Sequence, residues 1–245
     1  MTEEPMSERE LYYSIDDDVF SWFPGYIRGV VLAYGVTNGK STDELTSLLR
    51  SVEASLRQRL NIETLTEHPR ISSWREAYRS FGAKPSKHRP SLEAMARRVL
   101  RGDSIPSINT LVDIGNTISL RHLIPAGGHA IDVVTQDIAL RPATGQETFT
   151  AFGSDQTENP APGEIVFVEG DTVLTRRWTW RQAHHTLTLP TTTAIEYNVD
   201  GLPPVPLSEI EDACREVTEL VEHFCGGRTR YEILNVDNTK IRFTE

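Results

Sequence analysis

Cysteine is scarce in this chain: Cys214 and Cys225 are the two among 245 residues. They stand eleven positions apart in one helical-looking segment, too far along a helix to be bridged, and no metal-ligand spacing surrounds them. A disulfide framework is therefore excluded, and a reduced, cytoplasmic setting is expected. Long apolar runs are also missing, so no membrane partner is expected. The acidic opening MTEEPMSERE does not read as a secretory leader. No Walker loop, dinucleotide-binding fingerprint or nucleophile elbow occurs, and the adjacent His184 and His185 lack the i, i+4 placement of a zinc pair. Neither a cofactor nor a metal is expected.

Positive charge is in short supply as well, with 25 Lys and Arg against 35 Asp and Glu and a net charge of -10. That balance speaks against a nucleic-acid partner, DNA included, unless the cations cluster. They do. Residues 70–101 hold Arg70, Arg75, Arg79, Lys84, Lys87, Arg89, Arg97, Arg98 and Arg101 against two acids, Glu76 and Glu93. Such a window is either a solvated helix face or a surface for phosphates. Arg97, Arg98 and Arg101 also suit a helix C-terminus, where the macrodipole favours cations with no ligand required.

In chain order, residues 1–20 are acidic and without periodicity, and a mobile N-terminus is expected there. Tyr26 to Tyr34 is a β-branched run suited to a buried strand. Ser41 and Glu44 form a capping-box signature ahead of Leu45, Leu48, Leu49, Val52, Leu56 and Leu60 at helical spacing. Ser73 and Glu76 repeat that signature before a second helix ended by Gly82. The segment KPSKHRPS is a Pro-punctuated basic loop. It leads into a third helix, Ser91 to Arg101, and residues 107–121 read as a fourth.

From Asp132 onward the pattern turns to strands: Val133 to Leu140, Ile165 to Val168, Thr172 to Trp178, Thr186 to Leu189 and Ala194 to Val199. In RRWTWR, Trp178 and Trp180 alternate with Arg177, Thr179 and Arg181 on an expected strand, giving one aromatic face and one partly cationic face. Core packing is the default for the tryptophans, and an arginine beside a pocket can also hold a phosphate. A closing helix from Ser208 ends at Gly226-Gly227. Helices first and strands second make an α+β domain over residues 21–226, with 227–245 as a C-terminal tail.

The stretch LVDIGNTISLRHLIPAGGHAIDV, residues 111–133, sets Asp113, Asn116, His122, His129 and Asp132 among aliphatic residues. Asn109, Asp113, Asn116 and Leu120 share one helical stripe, and polar groups there either satisfy one another or line a cavity. Glu196, in TAIEYNV, points to the same strand face as Ala194 and Asn198. It is either an outward carboxylate on an edge strand or an interior one that needs a partner.

Five motifs in order, WREAYRSFGAKPSKHRPSLEAMARRVLRG, LVDIGNTISL, GGHAIDV, RRWTWR and TTTAIEYNV, resemble the B3/B4 domain of the phenylalanyl-tRNA synthetase β subunit. More closely, the chain looks like the free-standing B3/B4 proteins, and the likeness covers roughly residues 20–225. In the synthetase this domain edits, hydrolysing tyrosine wrongly attached to phenylalanine tRNA. Free-standing relatives are trans-editing deacylases, some acting on canavanyl-tRNA of the arginine isoacceptor. The resemblance implies that the editing-site asparagine falls on Asn116, the histidine on His129, the aspartate on Asp132 and the side-chain-reading glutamate on Glu196. Gly115 stands where the synthetase has threonine. RRWTWRQAHHT replaces its glycine-rich segment, so amino-acid preference does not carry over.

An aminoacyl ester is already activated, so a positioned water and an oxyanion stabiliser suffice. On this reading Asn116 and His129 are catalytic, with imidazole able to act as base near neutral pH. Asp113 or Asp132 fixes the imidazole tautomer or binds the α-ammonium group. Glu196 reads the side chain, with Arg181 as a further substrate contact. Arg75, Arg79, Lys84, Lys87, Arg89, Arg97 and Arg98 contact the tRNA. The expected partners are an aminoacylated tRNA and its amino-acid moiety. A polar or basic amino acid is favoured, with canavanyl-tRNA or tyrosyl-tRNA as candidates. The competing reading is a non-catalytic module that binds a free amino acid or small solute.

Overall fold

The apolar run expected as a strand is buried on both faces, and the layers are stacked on it. A computed structural model describes residues 10–244. Strand β2 (Ile27–Tyr34) lies inside an antiparallel four-stranded sheet of order β11-β2-β10-β3, with β3 Ala126–Ala130, β10 Ala194–Gly201 and β11 Arg228–Leu234. Successive residues of β2 point to opposite faces. Val31 and Ala33 pack on helices α5 (Thr110–His122) and α6 (Leu207–Cys225), while Val30 and Leu32 face a second sheet.

That second sheet has six strands in the order β12-β1-β4-β7-β8-β9: β1 Tyr12–Ile15, β4 Ile138–Pro142, β7 Ile165–Glu169, β8 Thr172–Arg176, β9 Arg181–Gln182 and β12 Lys240–Arg242. A short β5–β6 hairpin (Phe149–Thr150 and Thr157–Glu158) and the remaining helices complete the fold: α1 Asp17–Trp22, α2 Asp43–Arg59, α3 Pro69–Ser80 and α4 Ser91–Leu100. The class is α+β. Helices α2 and α4 form an outer layer on α5 through Leu49, Leu56, Leu92, Val99 and Leu120.

Both chain ends differ from the sequence reading. Residues 1–9 of the expected mobile N-terminus lie outside the described residues, but Tyr12–Ile15 pairs in parallel with β4 and antiparallel with β12. Residues 227–244 are not a tail, because β11 pairs with β2 along its whole length. Tyr13, Ile15, Leu234 and Ile241 are buried in the core between the sheets, and that burial secures the ends.

Helix starts differ for local reasons. Thr42, not Ser41, caps α2, and α3 begins at Pro69 behind a His68 cap, four residues before the expected Ser73. Helix α6 starts at Leu207, close to the expected Ser208, without a side-chain cap. The expected strand at 133–140 starts only at Ile138, since Glu169 accepts from the Thr135 and Gln136 amides at 2.7 and 3.0 Å and holds a turn there. Residues 186–189 form no strand. Side chains take two of the carbonyls instead, Asn109 Nδ2 that of Thr188 at 2.9 Å and Asn38 Nδ2 that of Leu189 at 2.8 Å.

RRWTWR is a turn rather than a strand. Strand β8 stops at Arg176, and Arg177 and Trp178 adopt left-handed backbone at φ 47° and 64°. Such conformations cost bulky residues roughly 1–3 kcal/mol each and persist only when the surroundings enforce them. Here the Trp178 indole is wedged edge-on against Phe23, Tyr26 and Trp74, at ring-centre distances of 4.7, 4.8 and 5.0 Å. Trp178 is core, and Trp180 is half-buried against the edge of the same cluster.

A buried ion pair joins the neighbouring strands β2 and β10 on the face turned toward the second sheet. Arg28, 1% exposed, donates through Nε and Nη2 to the two oxygens of Asp200 at 2.6 and 3.1 Å. Burial opposes the charge on Arg28, but the adjacent carboxylate outweighs it and holds the guanidinium pKa above its usual value. Arg28→Met leaves Asp200 buried without its cation and is expected to destabilise the fold by about 3–5 kcal/mol. The double variant Arg28→Met/Asp200→Leu should recover most of that loss in urea unfolding. Equal stability of the single variant and the wild type would show that the pair does not hold β2 and β10 together.

Candidate active site

Strand β10 alternates strictly. Ile195, Tyr197 and Val199 pack on the helices, so Glu196, Asn198 and Asp200 all point into the space between the sheets. Three polar side chains on an interior face require partners. They find them in one connected chain. Tyr26 donates to Asp200 at 2.5 Å, Arg28 bonds Asp200 and also donates to the Tyr13 hydroxyl at 2.6 Å, and Tyr13 donates to Asn198 Oδ1. Asn198 Nδ2 donates to Glu196 Oε1 at 3.0 Å. Burial keeps the Tyr13 and Tyr26 phenols well above their usual pKa, so both stay protonated donors.

The chain ends at His129. Its register partner across the β3–β10 pair is Glu196, and its Nδ1 lies 2.7 Å from Glu196 Oε1. Its Nε2 lies 2.8 Å from Thr175 Oγ1 on β8. The carboxylate accepts the Nδ1 proton, which leaves Nε2 as the acceptor for the Thr175 hydroxyl. His129 is 6% exposed and Glu196 is fully buried; the second oxygen of Glu196 has no partner among the described residues.

This end of the chain opens on a cavity of about 250 Å³ between α4, α5, β3, β10 and the Trp178–Gln182 turn. Buried Arg28, Thr175, Asn198 and Asp200 form its floor, while exposed Gly127 and Arg181 mark its mouth. Half-buried Asn116 also lines it, from α5, and its amide makes no hydrogen bond within the described residues. Trp180 lines it too, carrying the Arg177 guanidinium 4.4 Å above its ring. The arrangement offers a proton acceptor, a hydroxyl and an unengaged amide donor around one small, partly apolar space.

The other expected substrate contacts lie elsewhere. Asp113 is fully buried but away from the cavity: its carboxylate accepts from Ser41 Oγ, Ser107 Oγ and the Ile108 amide at 2.6, 2.5 and 3.0 Å, tying two loops to α5. Asp132 is exposed and accepts from the Thr193 amide at 2.6 Å and hydroxyl at 3.1 Å. Neither touches His129; Glu196 holds the imidazole instead. Glu196 sits behind His129 rather than in the cavity lining. Of the stripe Asn109, Asp113, Asn116, Leu120, only Asn116 faces the cavity, since Asn109 caps α5 through the Val112 amide.

Thr175, Arg28, Asn198 and Asp200 were not singled out from sequence. The alternation that placed Glu196 also placed Asn198 and Asp200, and a lone arginine in the run YIRGVVLAY is itself a signal. Thr175 carries no such mark.

The basic window divides. Glu93 on α4, 1% exposed, accepts from Arg75 at 2.8 and 2.9 Å and from Arg97 Nε at 2.8 Å, with Arg89 4.0 Å away. Arg98 Nε donates to the Ser104 carbonyl at 2.7 Å. Arg79, Lys84 and Lys87 are exposed and have no ion-pair partner among the described residues. The loop carrying the two lysines borders the cavity: His88 packs on Trp180 at 4.7 Å, and the Ser91 amide donates to the Thr179 carbonyl at 3.0 Å.

The two glycines before His129 differ in what they tolerate. A Cβ on Gly128 would lie 2.7 Å from Ile195 Cδ1 and 2.9 Å from the Glu196 carbonyl, whereas one on Gly127 meets nothing within 4 Å. Gly128→Ala is expected to cost about 1–3 kcal/mol by forcing β3 off β10. Gly127→Ala should unfold at the wild-type denaturant midpoint and only reduce the cavity. Indistinguishable midpoints for the two variants would contradict this account of the β3–β10 pairing.

No curated protein sequence matches the chain. Its backbone is similar to the crystal structure of an N-terminal fragment of the phenylalanyl-tRNA synthetase β-subunit from Pyrococcus horikoshii, at 10% sequence identity and a TM-score of 0.47. That match covers all of this chain, which spans 57% of the length of the other. The profile of the B3/4 domain matches residues 73–226, more than half of the chain. That segment runs from the basic window through Asn116, His129 and Thr175 to Glu196, and with it the chain belongs to the B3/4 domain family.

Proposed function

We propose that this protein hydrolyses the ester of a mischarged aminoacyl-tRNA in trans, in the cytoplasm. The observation that carries the reading is His129 held between a buried carboxylate and a hydroxyl at the wall of a small cavity. Glu196 fixes the tautomer and orients the ring, His129 Nε2 takes the proton released on attack at the ester carbonyl, and Asn116 donates to the developing oxyanion. Membership of the B3/4 family and the resemblance of its motifs to editing domains support the choice of an aminoacyl ester over other acyl donors.

The cavity volume supports the same choice. About 250 Å³ is below the ~300–1,000 Å³ of sites for drug-sized ligands, so it takes an amino-acid moiety and leaves the terminal nucleotide at the mouth. A floor of Arg28, Thr175, Asn198 and Asp200 favours a polar side chain over an aliphatic one. Canavanyl-tRNA and tyrosyl-tRNA are the first substrates to try. Lys84 and Lys87, beside Trp180 and Arg181, are the cations best placed for the single-stranded acceptor end. Arg79 is free for a more distant phosphate, while Arg75, Arg89, Arg97 and Arg98 are wholly or partly engaged within the protein.

Deacylation assays on a panel of mischarged tRNAs test the activity. His129→Ala should lose about 100-fold or more and Asn116→Ala on the order of 100-fold. Wild-type protein that turns over no aminoacyl-tRNA yet binds a free amino acid would establish the binding module instead.

RNA contact is tested separately. The affinity for uncharged tRNA should fall as salt rises, and Lys84→Glu/Lys87→Glu should reduce the slope of log K on log salt by about one unit or somewhat more. Arg97→Glu should change that slope little. The reverse ranking would move the RNA surface from the loop to helix α4.

A further inference from the structure

Both nitrogens of His129 are engaged, Nδ1 by Glu196 and Nε2 by Thr175, and the ring is almost wholly buried. A water in the cavity has no free imidazole nitrogen to which it can hand a proton. The hydroxyl already aligned on Nε2, at 2.8 Å, belongs to Thr175, which itself lines the cavity. A hydroxyl on Nε2 and a carboxylate on Nδ1 is the arrangement that activates serine in triad hydrolases, recognised by geometry rather than by sequence position. We propose that Thr175, His129 and Glu196 form a catalytic triad, with Thr175 Oγ1, not a positioned water, as the first nucleophile. The proposal rests on the ester-hydrolase reading of this cavity.

Each step balances. Thr175 Oγ1 bonds the ester carbonyl carbon while its proton passes to His129 Nε2, and the carbonyl oxygen becomes an oxyanion facing the Asn116 amide. Collapse re-forms the carbonyl and breaks the bond to the leaving oxygen, which departs with the proton from Nε2. An aminoacyl ester of Thr175 remains. Water then attacks that ester, giving its proton to Nε2, and Thr175 Oγ1 leaves and takes the proton back. The products are the free amino acid and the alcohol, with Glu196 holding Nδ1–H throughout.

The rest of the site accords with this assignment. Thr175 is fixed on β8 between Phe167 on β7 and Gln182 on β9. Gln182 Nε2 in turn donates to the Gly128 and Thr186 carbonyls at 3.2 and 3.0 Å, tying β9 to the strand that carries His129. The nucleophile and its base thus come from different sheets, joined by a side-chain bridge at the cavity wall.

The test uses the full-length protein with alanyl p-nitrophenyl ester and with mischarged tRNA. Acid quenching during turnover of the nitrophenyl ester should yield protein heavier by one alanyl group, located by peptide mapping on Thr175. Added hydroxylamine should divide the product between hydroxamate and acid in the same ratio for alanyl p-nitrophenyl and alanyl ethyl esters, since both pass through one acyl-protein. Thr175→Ser should stay within about tenfold of wild type, and Thr175→Val should lose about a thousandfold or more.

A partition ratio that changes with the leaving group overturns the proposal and returns the attack to water. So does wild-type turnover by Thr175→Val, or no hydrolysis of the nitrophenyl ester by folded wild-type protein. An acyl adduct from the nitrophenyl ester with no turnover of any mischarged tRNA leaves the triad standing and removes the tRNA reading alone.

Discussion

The chain of buried polar groups from Tyr26 through Asp200, Arg28, Tyr13, Asn198 and Glu196 to His129 is the constraint on which the site depends. Every member lies where an unpaired polar group would cost several kcal/mol. Each therefore fixes the next, and the chain extends from the core between the sheets to the cavity wall. His129 is oriented by Glu196, Glu196 by Asn198, and Asn198 by a tyrosine from the first strand of the chain. Apart from the second oxygen of Glu196 the network is satisfied, and it holds the imidazole at the cavity wall in one orientation.

This dependence explains why the chain ends are integral. Tyr13 lies on β1, which is held by β4 on one side and by β12 on the other. Removing either terminus would strip a donor from Asn198 or a neighbour from the strand that carries that donor. The matched B3/4 segment, residues 73–226, excludes both of these strands as well as β2 and Arg28. The residues that complete the network beneath the site thus come in part from outside the segment that identifies the family.

What was legible in the sequence follows from the range of the forces involved. The periodicity of Leu45 to Leu60 is local and marked its helix directly, whereas alternation around Glu196 grouped Glu196 with Ala194 and Asn198 on one face and left open whether that face was interior. Pairing at long range left no such trace. Tyr12–Ile15 is acidic-flanked and short, and only its partners β4 and β12 make it a strand. RRWTWR alternates like a strand, yet Phe23, Tyr26 and Trp74 capture Trp178 and force left-handed backbone on two residues, an outcome set by packing from the α1–β2 connection and helix α3. Asn116 and His129 were readable from their setting and from the family resemblance. Thr175 was not, since a threonine in a β-branched strand is unremarkable until its neighbour across the sheet gap is known.

The basic window shows why counting charges along a sequence misleads. Nine cations against two acids suggests a continuous surface for phosphate, but one acid, Glu93, is almost fully buried. A buried carboxylate must be compensated where it sits, and Arg75 and Arg97 are drawn onto it at hydrogen-bond distance. Arg75 thereby ties α3 to α4, and Arg97 pairs within α4 itself. Free positive charge is displaced to the Pro-punctuated loop, where Lys84 and Lys87 have no carboxylate within reach among the described residues and stand beside the turn that walls the cavity. The position of the unpaired cations, not their number, links the basic window to the site.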